Sequence, residues 1–424
     1  MATLFRDATL IDPVAGETRR GELRVEDGRI APPGPAAEVV ECGGRCLAPG
    51  IVDWGVKVGE PGERHMESFR TAGRAAARGG VTTMVCRPDT RPPIDGPETL
   101  AQARSHAADS VVRVAHMAAL TMGREGGRMV EMGFLRDAGA VALTDGVRVV
   151  RDAKVLSRCL RYAASLGVLV VGHPQEPTLS AGAVATAGKF ATLRGLPAVS
   201  PLAERMGLER DLALVEATGA RWHADQITTA AALPALRRAR AAGLDVTAGT
   251  SIHHLTLNAL DVADYRTFFK VTPPLRDEDD RLATVEAVAD GTIDCIGSFH
   301  TPQDEESKRL PFEAAAPGAV GLETLLPAAM RLHHGGHLSL PQLWRAMSTN
   351  PARRLGLPGG TLAVGAPADL VLFDPDAPFV MDRFALASKS KNTPFDEARM
   401  QGRVLGTWVG GARVWDRDRE AADA

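Results

Sequence analysis

The chain has 424 residues, with 49 basic and 52 acidic side chains and a formal net charge of -3. This length allows one large barrel with an accessory domain, and the balanced charge lacks the basic footprint of nucleic-acid-binding or membrane-surface proteins. The sequence has no run of about 18 apolar residues, and its N-terminus lacks the charged-then-apolar order of a signal peptide. The odd number of cysteines, 5, favours free thiols over disulfides. We therefore expect a cytoplasmic protein.

Three segments follow one another along the chain. Residues 1–48 carry short strand-like runs such as TLFRDATLID, without a helical period. From 49 to 355, β-branched runs such as GVTTMVCRP, AVALTDG, GVLVVGH and TIDCIGS alternate with amphipathic stretches, among them 67–78, 154–166, 210–217 and 230–242. Residues 356–424 return to short strand-like runs and finish in EAADA, which is expected to fray.

This order predicts an α/β fold. About eight strands, each followed by a helix, favour a closed (β/α)₈ barrel of the TIM type over residues 49–355. The two flanking segments, 1–48 and 356–424, most simply pair into one small discontinuous β-sandwich-like domain. In such a barrel the functional residues follow the carboxyl ends of the strands.

The residues at those strand ends resemble a known family. APGIVDWGVKVGEPG is similar to the first-strand signature of dihydroorotases and related cyclic amidohydrolases of the amidohydrolase superfamily, and further matches include LDVTAGTSIHHL, KVTPPLRDEDDRL and SKSKNTPF. The similarity covers nearly the whole chain. It implies a metal-dependent hydrolase barrel, with ligands and a catalytic aspartate at set positions.

Several of those positions hold other residues here. The family's His-x-His metal pair matches Gly55 and Lys57, a later ligand histidine matches Gln226, and the catalytic aspartate matches Phe299. Glycine has no donor, an ammonium repels a divalent cation, and a phenyl ring neither binds a metal nor accepts a proton. We therefore expect the catalytic positions to be degenerate and no metal cofactor to be bound.

The substrate-binding positions also differ. An arginine that in the family pairs with the substrate carboxylate matches Gly59, and the asparagine of a Met-Pro-Asn-Thr segment matches Asp89, which predicts repulsion of an anionic substrate. His173 matches a surviving metal-ligand position, and Asp145 matches one of a family pair of aspartates less clearly. A zinc site needs at least three protein ligands, and these do not reach that number.

Other histidines and Lys57 allow simpler explanations. His253, His254 and His300 are ligand candidates, but hydrogen-bonded histidines held by packing explain them more simply. The HHGGH segment, residues 333–337, could chelate a surface metal, although Gly-Gly favours a helix end and turn. Lys57 in a barrel mouth could act as a nucleophile, but filling the emptied metal cavity and pairing with Glu60 or Asp145 is the simpler expectation.

Together these observations predict that the chain is not an enzyme. The resemblance implies a structural subunit that assembles with the catalytic chain of aspartate carbamoyltransferase in de novo pyrimidine synthesis, as a hetero-oligomer that can also self-associate, without nucleic acid or membrane. The alternative is an active metal-dependent cyclic amidohydrolase, of dihydroorotase or hydantoinase type, with a rearranged site from His173, His300, Asp145 and Asp225. A small-molecule sensor is a third hypothesis, which no sequence feature favours.

Overall fold

A computed structural model describes residues 2–419. Its strands are β1 (Ala2–Asp12), β2 (Glu17–Glu26), β3 (Arg29–Ala31), β4 (Glu38–Glu41), β5 (Cys46–Pro49), β6 (Ile51–Val56), β7 (Val81–Cys86), β8 (Arg113–His116), β9 (Val170–Gly172), β10 (Ala185–Thr186), β11 (Ala198–Val199), β12 (Trp222–Ala224), β13 (Val246–Ser251), β14 (Cys295–Gly297), β15 (Leu370–Val380), β16 (Arg399–Val409) and β17 (Ala412–Asp416).

The α-helices are α1 (Phe69–Arg78), α2 (Pro97–Ala107), α3 (Met132–Asp137), α4 (Ala153–Leu166), α5 (Lys189–Arg194), α6 (Leu202–Thr218), α7 (Leu233–Ala241), α8 (Ile252–Thr256), α9 (Glu278–Ala289), α10 (Glu305–Arg309), α11 (Leu325–His334), α12 (Leu340–Trp344) and α13 (Asn350–Leu355). Within residues 2–419, no helix is both long enough and apolar enough to cross a bilayer. The tail EAADA lies outside the described residues.

Parallel strands form the predicted barrel. β6, β7 and β8 pair in parallel, with two register shifts between β6 and β7, and β9, β12, β13 and β14 also pair in parallel. The run AVALTDG supplies no regular strand, but Leu143 bridges Ala118 on one side and Val170 on the other, which joins the two groups. On the opposite side, the Ser298 N–H after β14 donates to Asp53 Oδ1 in β6 over 2.7 Å. The prediction of a (β/α)₈ barrel is confirmed.

Both ends of the chain contribute to one mixed sheet, in the order β17-β16-β15-β5-β1-β2-β3, with β4 beside β1. β5 links the two ends, because it pairs parallel with β1 and antiparallel with β15. This sheet is the small discontinuous β domain that the flanking segments predict. All 5 cysteines are free and buried, as expected for thiols outside any disulfide framework.

Local capping explains where helices begin and end. α4 begins after Asp152, whose carboxylate accepts the N–H groups of Lys154 and Val155, and it ends at Gly167, which has φ 67°. The predicted helix at 154–166 is therefore nearly complete. The helix predicted at 210–217 is wrong at its start, because α6 already begins after Pro201. The prediction at 230–242 merges a 3₁₀ turn with α7.

Candidate functional site

A cavity of about 180 Å³ lies at the carboxyl ends of the barrel strands. Residues that follow β6, β7, β12, β13 and β14 line it, as expected when parallel strands end on one face of a barrel. Its polar lining includes Lys57, Arg87, Asp89, Gln226, His253 and His254. Phe299 closes one side of the cavity.

Gly55 and Phe299 fit each other. A Cβ atom at Gly55, where φ is 77°, would lie 2.7 Å from the ring of Phe299. Phe299 is itself in the left-handed region, with φ 47°, and is buried. The phenyl ring therefore occupies the space beside β6 that a side chain at residue 55 would need. The two family positions have changed in a sterically complementary way.

The side chains of the rearranged-site hypothesis form no metal-binding group within residues 2–419, although Asp145 and His173 line one small cavity. Asp145 accepts hydrogen bonds from Leu120 N, Thr121 N and Thr121 Oγ1. Asp225 accepts one from Trp54 Nε1 over 3.1 Å. Both carboxylates are thus committed to partners within the barrel wall.

The two histidines of that hypothesis also lie in separate surroundings. The Gly321 N–H donates to His300 Nδ1 over 3.1 Å, and His300 Nε2 lies 3.6 Å from Glu67 Oε2. His173 is buried, and burial lowers its pKa to about 4. Across residues 2–419, no three His, Cys, Asp or Glu side chains are grouped so that they could hold a metal ion. The residues present do not fit the metal centre of the family.

Lys57 forms an ion pair with a partner that the sequence did not predict. Its Nζ lies 3.0 Å from Glu63 Oε2. The prediction of Glu60 or Asp145 as partner is wrong, because Glu60 accepts the Phe69 N–H at the start of α1 and pairs with Arg64. The chain turns tightly after β6, where the Glu63 N–H donates to the carbonyl of Gly59. That turn brings the Glu63 carboxylate to Lys57.

Gly59 is required by the same turn. A Cβ atom at this position would lie 2.2 Å from the carbonyl oxygen of Glu63. The arginine that the family places here would need a different loop. Gly59 therefore cannot attract the substrate carboxylate. It has no side chain, and the backbone of this turn leaves no room for one.

The expected repulsion at Asp89 does not arise, because Arg87 compensates its charge. Arg87 Nη2 lies 3.1 Å from Asp89 Oδ2 and 3.3 Å from Thr301 Oγ1. Burial alone would raise the pKa of Asp89, but the cations Arg87, Arg124 and Lys57 hold it below its usual range. Sequence reasoning missed Arg87, although its place directly after β7 is one that a barrel uses for function.

Gln226 and His254 are fixed by the backbone. Gln226 Nε2 donates to Thr272 O over 3.3 Å, and His254 Nε2 lies 3.0 Å from Pro273 O. Burial lowers the pKa of His254 to about 3, so the imidazole is neutral at neutral pH. Packing and hydrogen bonding thus explain His254, as the simpler hypothesis for the barrel histidines predicts.

His253 differs from its neighbour. Its ring stacks on Phe395 with centroids 5.9 Å apart, and burial lowers its pKa to about 4. Its Nε2 has no hydrogen-bond partner within residues 2–419. A neutral imidazole with a free ring nitrogen therefore lines the cavity. The HHGGH segment forms the end of α11 and the turn at Gly335, as predicted.

A second cavity, of about 320 Å³, adjoins the first. Lys57 and Asp89 line both cavities. Arg91, Arg124 and Arg148 add positive charge to the outer one, and Glu63 adds a carboxylate. The mouth of the barrel is therefore rich in cations.

Comparison with known proteins places the chain in a family. The family model described as "Dihydro-orotase-like" matches residues 44–232. The chain is 39% identical to a protein named dihydroorotase from Pelotomaculum thermopropionicum, over 99% of each chain. This chain belongs to the dihydroorotase family. Other members include a dihydroorotase from Anaplasma phagocytophilum, 37% identical over 97% of this chain and 94% of that one, and a dihydroorotase-like protein from Pseudomonas putida, 38% identical over 95% and 97%.

Solved structures share the fold of this chain, a barrel with a β domain. The L-hydantoinase of Arthrobacter aurescens superposes with a TM-score of 0.88 and 24% identity, covering 98% of this chain and 96% of that one. The dihydropyrimidinase of Brevibacillus agri gives a TM-score of 0.83 at 22% identity, over 97% and 95%. At these identities the likeness shows the fold alone.

The prediction that the chain is not an enzyme is wrong. Relatives named dihydroorotase match it over almost its full length at 36–39% identity, which points to an enzyme. The prediction gave too much weight to individual ligand positions, each argued without its neighbours. The comparisons support a cyclic amidohydrolase, and the family assignment does not rest on the metal positions.

Proposed function

We propose that this chain is a cyclic amidohydrolase that interconverts a small cyclic ureide and its open-chain acid, as in the reaction between dihydroorotate and carbamoyl aspartate. The observation that carries the proposal is the match to proteins named dihydroorotase over 99% of both chains. The cavity at the barrel mouth supports it, because this is where barrels of this type place their chemistry.

The cavity offers groups for both parts of amide chemistry. Negative charge develops on the carbonyl oxygen when water or an amine attacks an amide, and preorganised cations stabilise that charge. Lys57 lines the cavity and can fill this role. The neutral His253, with its unpartnered Nε2, can accept a proton from the attacking group. No step depends on a metal, since the residues present do not fit one.

The test is the rate of interconversion of dihydroorotate and carbamoyl aspartate by the purified chain, followed in both directions. One sample contains a chelator, and a matched sample contains added zinc. We expect turnover that persists in the chelator. Absence of turnover in both directions and both samples would overturn the proposal, and strict dependence on zinc would overturn its metal-free chemistry.

The variant Lys57→Met gives a sharper result. Removing one group that stabilises a developing oxyanion typically lowers kcat by about a hundredfold or more. Lys57→Met should therefore lower kcat far more than it changes KM. Arg161→Met, an exposed arginine on α4, is the matched control and should leave both constants unchanged. Equal rates for Lys57→Met and the native chain would exclude a role for Lys57.

The partner and the compartment remain separate proposals. The resemblance supports assembly with the catalytic chain of aspartate carbamoyltransferase, in the cytoplasm. A stable complex would bury roughly 1,000 Å² or more.

A further inference from the structure

Two neighbouring polar atoms in the cavity lack partners. Arg87 Nε and Asp89 Oδ1 are both buried and make no hydrogen bond within residues 2–419. The side chain of Arg87 is only 4% exposed and that of Asp89 only 11%. Buried polar groups are nearly always hydrogen-bonded, so an unmatched pair that lines a cavity is suited to bind a polar ligand.

The pair combines a donor with an acceptor. The guanidinium of Arg87 donates through Nε, and the ionised carboxylate of Asp89 accepts through Oδ1. Their mutual contact, Nη2 to Oδ2 over 3.1 Å, holds the two groups side by side and leaves the unpartnered atoms available. A ligand that satisfies both must present an oxygen acceptor beside an N–H donor.

The surrounding charge favours an anion. The two adjoining cavities are lined by two carboxylates, Glu63 and Asp89, and by five cations: Lys57, Arg87, Arg91, Arg124 and Arg148. His253 and His254 add no charge when neutral. The excess of positive charge attracts a negatively charged ligand into the barrel mouth.

We propose that Arg87 and Asp89 are the specificity-determining residues of this site and together bind a small ureide that carries a carboxylate next to its ring N–H. Arg87 donates to the carboxylate, with Lys57 nearby, and Asp89 accepts the adjacent N–H. This inference rests on the proposed function and assigns its recognition to residues other than the family's arginine position at Gly59. The inner cavity of about 180 Å³ limits the ligand to a compact ring.

The inference is tested by calorimetric binding to the full chain in a chelator, with three probes. Dihydroorotate carries both groups, dihydrouracil has the N–H without the carboxylate, and cyclohexanecarboxylate has the carboxylate without the N–H. Hydrogen bonds to charged groups contribute enough that each lost contact should weaken binding about ten- to a hundredfold. Equal binding of all three probes, or no binding of any at millimolar concentration, overturns the inference.

Two variants locate the preference. Arg87→Met alone leaves the charge of Asp89 buried, which endangers folding. The double variant R87M/D89N removes both charges and keeps the fold testable, as checked by its melting temperature. It should bind dihydroorotate no more than about threefold better than dihydrouracil, whereas Arg161→Met should keep the native preference. A folded double variant with the native preference would refute the assignment.

The outcome is separable from that of the proposed function. Carboxylate-selective binding that depends on Arg87 and Asp89, without turnover, would leave the recognition pair standing and remove the hydrolase proposal. Turnover by the native chain, with unchanged selectivity in R87M/D89N, would leave the hydrolase proposal standing and refute the assignment of the recognition pair.

Discussion

Replacing Gly55 by alanine tests whether the ring of Phe299 has filled the family's metal position. The new Cβ would lie 2.7 Å from the ring at a φ of 77°. A non-glycine residue in the left-handed region costs about 1–2 kcal/mol, and overpacking a core costs about 1–3 kcal/mol. Gly55→Ala should therefore lower the free energy of unfolding by about 2–5 kcal/mol.

Gly167 provides the matched control. It has φ 67° and nothing within 4 Å of its ideal Cβ. Gly167→Ala therefore has the cost of a left-handed backbone conformation but no steric clash. We expect it to cost about 1–2 kcal/mol, measured by urea unfolding beside Gly55→Ala. A double-mutant cycle with Phe299→Ala should show that the cost at residue 55 falls by about 1–3 kcal/mol when the ring is removed. Additive costs would refute the steric complementarity.

Two further predictions concern pH and assembly. Burial raises the pKa of Asp53 from 3.8 to about 7, with hydrogen bonds from Ser298 opposing the shift. Between pH 3.8 and about 7, the folded chain keeps a proton on Asp53 that the unfolded chain releases, so the free energy of unfolding falls as pH rises through this range. Asp53→Asn should make this fall less steep, as measured by urea unfolding at several pH values. The chain and the catalytic chain of aspartate carbamoyltransferase should co-elute in size-exclusion chromatography at micromolar concentration, and separate elution would contradict the proposed assembly.

The site illustrates how substitutions act together. Lys57, Gly59 and Asp89 each look unfavourable when compared singly with the family pattern. In the structure Glu63 balances Lys57, a tight turn requires Gly59, and Arg87 balances Asp89. The barrel mouth consequently holds two ion pairs within an overall excess of cations.

The sequence by itself determined the family and most of the architecture. The alternation of strand-like and amphipathic runs is a local feature, and it predicted the barrel and nearly the full extent of α4. The fourth strand was the exception, because Leu143 makes only isolated bridges to its neighbours. Local pattern cannot show how much pairing a strand finds in the closed barrel.

Only the tertiary structure decided the content of the site. The contact between Gly55 and Phe299 joins residues far apart in the chain, and it depends on the closure of the barrel. The ion pairs Lys57–Glu63 and Arg87–Asp89 each lie within one loop, and they depend on the conformation of that loop and not on residue type alone. The sequence could therefore identify which positions had changed, but the closed barrel determined what the new residues do together.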